Sequence, residues 1–182
     1  MKISRFLLIC IVTLFGSSPV LAQFSAGLDL GLPIGNFSNM ASTGFGASVR
    51  YDASLGNKLG WTASAGYESY AGKTYNVNNV AIPFGNTTNI PLVGGIKYYF
   101  QEASNGFYGG IDISVNILST WVYSFNSGNG GGYNLASDSN TVIGINPGIG
   151  YRLPKLDFSL RYNSRGDFSS LGLRAAYVFG GK

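Results

Sequence analysis

Ten charged residues are the side chains of this sequence equipped to do chemistry. Asp29, Asp52, Glu68, Asp112 and Asp157 supply carboxylates, and Arg50, Lys97, Arg152, Arg161 and Arg174 supply cations. Paired carboxylates serve general acid–base work, and clusters of His, Cys, Asp and Glu hold metals. The sequence has no histidine and a single cysteine, Cys10. Histidine triads, histidine metal sites and histidine-dependent acyl transfer are thereby excluded. The five carboxylates are scattered over different segments and matched by five bases. They read as structural ion-pair partners, with Asp52, Glu68 and Asp112 expected to meet Arg50, Lys97 and Arg174. Asp138, in SDSN, is one acid without the ligand set calcium needs. The glycine-rich GNGGG at 128–132 is followed by neither a helix nor a lysine, so it is not a phosphate cradle. No catalytic residue, cofactor or metal is expected.

The elements that carry these charges all follow one rule. In Phe24–Leu32 the residues Phe24, Ala26, Leu28, Leu30 and Leu32 alternate with Ser25, Gly27, Asp29 and Gly31. A period of two is a strand with two unlike faces. Seven more such segments follow, over 45–53, 59–70, 90–100, 107–118, 142–153, 156–163 and 170–179. In each, the charges fall on the face shared with Gly, Ser, Thr and Asn, and never on the apolar face. The connections between them alternate. Residues 33–44, 71–89 and 119–139 form long loops, whereas 55–58, 101–106 and 153–155 are short turns. Only 164–169 is modest where a long loop is due. Eight strands of about 9–11 residues with alternating long and short connections are what a small transmembrane barrel needs.

Composition separates this barrel from a soluble one. Charged residues make up 11% of the chain, against roughly 25% in ordinary soluble proteins. The chain is short enough for one domain. Its formal charge of +4 includes Lys2 and Arg5. Those two open a secretory leader: a basic start, an apolar run over 6–15, and small residues before a cut between Ala22 and Gln23. The leader is 1–22 and the barrel domain 23–182. Cys10 lies inside the apolar run rather than at a lipid-acceptor site, so the exported chain has no cysteine. A charge of about +2 remains without a basic cluster, and no nucleic acid partner is expected. An eight-stranded barrel has an interior just wide enough for side chains to fill. Small residues and five-and-five charges fit there, and the bulky apolar face belongs outside. Many apolar stretches end in an aromatic, which suits an interfacial girdle. The fold expected is all-β: an eight-stranded antiparallel up-and-down transmembrane β-barrel.

With these features the chain resembles the small bacterial outer membrane β-barrel proteins, the broad OmpA/OmpX-like group. The stretches that carry the resemblance are GLPIGNFS, GIKYYF, GFYGGIDIS and AAYVFGG. Members of that group often end on an aromatic, whereas this chain continues past Phe179 with Gly180, Gly181 and Lys182. The resemblance implies export, delivery to the barrel-assembly machinery and residence in the outer membrane. Both termini would be periplasmic, lipid would be the main partner, and the state would be monomeric. A structural or surface-interaction role is expected through Tyr75, Phe84, Trp121, Tyr123, Phe125 and Tyr133 on the external loops. The alternatives are a narrow porin-like channel and a soluble periplasmic barrel that holds an apolar ligand.

Overall fold

The computed structural model describes residues 23–77, 80–101, 105–126 and 132–179. The expected leader with Ala22, residues 128–131 of the glycine-rich stretch, and Gly180 to Lys182 lie outside the described residues. Among the described residues nine strands succeed one another: β1 (Gln23–Pro33), β2 (Ala41–Ser54), β3 (Leu59–Gly72), β4 (Thr74–Val77), β5 (Val80–Tyr99), β6 (Gly106–Asn126), β7 (Gly132–Arg152), β8 (Leu156–Asn163) and β9 (Ser170–Phe179). One helical turn, α1 (Phe37–Met40), interrupts the first connection.

Every pairing of these strands is antiparallel, and the sheet closes on itself. β1 pairs with β2 on one side and with β9 on the other, from Phe24 opposite Phe179 to Pro33 opposite Ser170. β3 pairs with β5, which bypasses β4. Eight strands thus form an up-and-down barrel without an open edge in its wall, and β4 stands aside as a short partner for the start of β5. Closure satisfies the backbone N–H and C=O groups of the wall within the sheet.

The structure differs from expectation at two of the long connections. Residues 74–77 and 80–89 are strand rather than loop, and so are 119–126 and 132–139. β6 and β7 stay paired from Gly106 opposite Arg152 to Asn126 opposite Gly132. The physical reason lies in what alternation reports. It marks a strand whose two faces meet different surroundings, and these segments lack one wholly apolar face. Their content of Thr, Val, Tyr, Phe and Trp still favours extended backbone. One bulge, between Phe84 and Thr87, marks where β5 leaves the barrel for this projecting sheet.

Burial is inverted relative to a soluble domain. Thirty-one large apolar side chains are exposed among the described residues, from Leu28 and Val49 to Ile113, Ile143 and Leu173. Soluble monomers rarely expose contiguous apolar patches above a few hundred Å². At the end of the barrel that holds both termini, aromatics ring the outer surface. Phe24 meets Tyr51 at 5.0 Å, Tyr51 meets Trp61 at 5.2 Å, Tyr98 meets Phe100 at 5.8 Å, Phe107 meets Tyr151 at 4.6 Å and Tyr177 meets Phe179 at 5.1 Å.

A small apolar cluster closes the opposite end. α1 folds over the mouth and buries Phe37 against Tyr70 and Phe168, at 5.0 and 5.5 Å between ring centres. Tyr70 lies flat across Gly31 and Gly44, where any Cβ would collide with its ring. The lid is tied down from both sides. Ile34 N–H donates to Ser169 O at 3.0 Å, Lys73 N–H to Met40 O at 2.9 Å, and Lys73 Nζ to Ser38 O at 2.7 Å. Phe37→Ala should lower unfolding stability by about 3–5 kcal/mol, read as a shift of the urea midpoint of the refolded barrel.

Candidate functional site

The polar face of each strand points inward, so the charges scattered along the sequence meet inside the barrel. Register explains how they fit. Long side chains stand opposite glycine on the next strand: Lys97 opposite Gly60 and Gly110, Asp112 opposite Gly95, and Arg161 opposite Gly148 and Gly172. Asp29 and Glu68 both flank Gly46. Arg152 stands opposite Gly106. A missing Cβ on each neighbour gives a guanidinium or ammonium room to cross the lumen.

Three layers result. Near the aromatic ring, Asp52 accepts from Lys97 Nζ at 2.7 Å and from Arg152 Nη1 at 2.8 Å. Gln23 accepts from Arg152 as well. Asp157, fully buried, lies among four cations: Arg152 at 3.7 Å, Arg50 and Lys97 at 3.8 Å, and Arg174 at 3.9 Å. Tyr108 donates its hydroxyl to Asp157 at 3.0 Å, and Lys97 sits 4.7 Å over the Tyr108 ring. In the middle layer, Asp29 accepts from Ser48 Oγ at 2.6 Å and pairs with Arg161 at 3.5 Å. Arg161 also faces Asp112 at 3.8 Å. Arg174 Nε donates to Ser48 Oγ at 2.9 Å, which joins this layer to the first. Beneath the lid, Glu68 accepts from Arg165 at 2.9 Å, from Asn89 at 3.0 Å and from the Tyr70 hydroxyl at 3.1 Å.

All ten charges singled out from the sequence lie in this network, but their partners differ in part from those expected. Asp52 meets Lys97, Glu68 meets Arg165, and Asp112 meets Arg161. Arg165 was missed because it falls in the connection after β8. The signal was present: Arg161, Asn163 and Arg165 keep the period of two beyond the end of the strand, and Ser164 bridges Ile145. With Arg165 the interior holds six cations against five carboxylates among the described residues. Voids between these side chains are small, at about 20, 10 and 10 Å³. A void near 10–15 Å³ holds about one water.

The six aromatic residues expected on external loops are placed on strands instead. Tyr75 lies on β4, Phe84 on β5, Trp121, Tyr123 and Phe125 on β6, and Tyr133 on β7. Trp121 pairs with Ser137, Tyr123 with Leu135 and Phe125 with Tyr133, so these positions share one face of the β6–β7 ribbon. They lie outside the charge network and form a second candidate site, one of surface contact.

Solved structures carry the same architecture. Ail, the attachment invasion locus protein of Yersinia pestis, solved with the heparin analogue sucrose octasulfate, matches over 87% of this chain and 97% of that one, at 14% identity and a TM-score of 0.56. The fold is that of the small eight-stranded outer membrane barrels. Neisserial surface protein A matches over 87% of this chain and 95% of its own, at 16% identity and a TM-score of 0.47. The N-terminal β-barrel domain of Pseudomonas aeruginosa OprF matches over 88% and 98%, at 13% identity and a TM-score of 0.46. No family model matches the sequence, and no curated protein does.

Asp157 is the residue whose loss the network should feel most. Asp157→Asn leaves four cations facing one another without their shared carboxylate. The expected cost is about 3–5 kcal/mol, measured by denaturant unfolding. Asp167→Asn, on an exposed acid, should change stability by less than about 0.5 kcal/mol in the same assay.

Proposed function

We propose that the protein is an outer membrane β-barrel that works as a scaffold for its external sheet and neither catalyses a reaction nor conducts. The observation that carries this reading is the inverted burial: an apolar outer surface with an aromatic ring, wrapped around a packed, charged interior. Such a surface is stable in lipid and is a liability in water. In this reading the aromatic ring lies at the periplasmic interface, the short turns and both termini face the periplasm, and α1 and the β4–β7 sheet face outward. The chain arrives through a cleaved leader and the barrel-assembly machinery and acts as a monomer.

The outward part is poor in charge. Its exposed charges are Lys73, Asp138 and Asp167 among the described residues. The Yersinia pestis structure holds a sulfated sugar analogue, a ligand that calls for clustered cations. The outward part offers no such cluster among the described residues, and its Trp, Tyr, Asn and Ser content suits a neutral partner that stacks on aromatic rings and exchanges hydrogen bonds. The ribbon face with Trp121, Tyr123, Phe125 and Tyr133 is where we place that contact.

Four measurements test the reading. Carbonate washing of the membrane fraction should leave the protein in the pellet, and the unboiled band on an SDS gel should migrate apart from the boiled one. Release by carbonate would overturn the membrane assignment. Leu30→Arg sets a charge on the outer face and should cost about 2–4 kcal/mol in vesicles. In planar bilayers the purified barrel should show no steady open steps.

A further inference from the structure

We propose that the barrel interior binds one monatomic anion, chloride in a cellular setting, in the void between Arg50 and Arg161. That void, of about 10 Å³, is bordered by Arg50, Lys97, Tyr108, Asp112, Ser159 and Arg161. Three of these side chains carry a donor without a protein partner: Arg50 Nε, Arg161 Nε and Ser159 Oγ. Arg50 and Ser159 are buried, and the Arg161 side chain is 13% exposed. Buried donors without partners are rare, and each calls for a group that accepts from it.

Charge points to an anion rather than a water. Six inward-facing cations, five of them buried, face five carboxylates among the described residues, so the lumen carries one positive charge that no described side chain offsets. Two of the guanidiniums, Arg50 and Arg161, border this void together with Lys97 and one carboxylate, Asp112. Arg50 has Asp157 at 3.8 Å, and that carboxylate is shared with three other cations. Arg161 has Asp29 at 3.5 Å and Asp112 at 3.8 Å, both at the long end of ion-pair range. The Nε–H of an arginine only donates, so its partner must accept. A water would accept from two of the three donors and leave the net charge in place. A monatomic anion accepts from all three, has no hydrogen to point at the guanidiniums, and offsets the charge. Polyatomic anions are too large for a void of this size. The site depends only on the interior and is indifferent to what the external sheet binds.

Bromide is the probe. Crystals of the full barrel grown or soaked in sodium bromide should show an anomalous peak within hydrogen-bond distance of Arg50 Nε, Arg161 Nε and Ser159 Oγ. In detergent, the unfolding temperature should rise with chloride against gluconate at matched ionic strength and should saturate, as mass action requires of a site on the folded state. Ser159→Asp supplies the negative charge covalently, and its unfolding temperature should no longer differ between the two salts. No bromide peak, together with equal unfolding temperatures in chloride and gluconate, would show a water there and overturn the proposal. Should Ser159→Asp fail to fold, the bromide map of the unaltered protein decides alone.

Discussion

The four cations gathered on Asp157 are the interaction on which the rest of the barrel depends. Charges this deeply buried are tolerated only when each is matched, because an unpaired one costs several kcal/mol. Asp157 comes from β8, Arg50 from β2, Lys97 from β5, Arg152 from β7 and Arg174 from β9. One carboxylate thus ties five of the eight wall strands across the lumen. Much else in the sequence follows from giving these long side chains room. The glycines opposite Lys97, Asp112 and Arg161 have no other evident task. Gly150 serves Tyr108 in the same way, since a Cβ there would strike the ring that donates to Asp157.

A polar centre changes where stability comes from. In a soluble domain the hydrophobic effect gathers apolar side chains into a core. Here the large apolar residues cover the outside, and the buried apolar cluster is reduced to Phe37, Ala41 and Tyr70 with Phe168 against them. Order in the wall must then rest on the closed ladder of backbone hydrogen bonds and on the interior network. The lid concentrates the remaining apolar packing at one end. It also covers the Glu68–Arg165 pair, a place where loss of the Phe37 ring would admit water to charges held at 2.9 Å. Inside the barrel the two ends therefore differ: the Asp52 and Asp157 ion pairs lie close to the chain termini, and a buried aromatic cluster caps the Glu68–Arg165 pair at the opposite mouth.

How much of this was legible in the sequence depended on whether a face met one uniform environment. Phe24 to Leu32 could be read as a strand, face by face, because lipid-like exposure on one side and a crowded lumen on the other leave a period of two. The same logic read Arg50, Lys97 and Arg174 as inward. It failed where the contrast between faces faded. Residues 119–126 form an unbroken continuation of β6, yet Ser124 and Asn126 alternate with aromatics in a segment rich enough in Ser, Asn and Gly to pass for a loop. Arg165 lies past the end of β8 and was passed over for that reason alone. Which carboxylate each cation meets was not legible at all. Asp29 stands opposite Arg174 in the β1–β9 register, yet its ion pair is with Arg161, from β8. Cross-lumen distances depend on barrel tilt and stagger, which local pattern does not encode.

The lumen is packed. The voids between its side chains are about 10–20 Å³ each, and the Asp157 cluster spans the space between five strands. The free surface that remains is outside the belt: the turns and termini at one end, and the β4–β7 sheet with α1 at the other. The turns are short and leave little area. The sheet is long, and the positions of Trp121, Tyr123 and Phe125 alternate along β6 in register with β7. An apolar exterior around a charged interior thus follows from one cause, the charges that had to be paired inside.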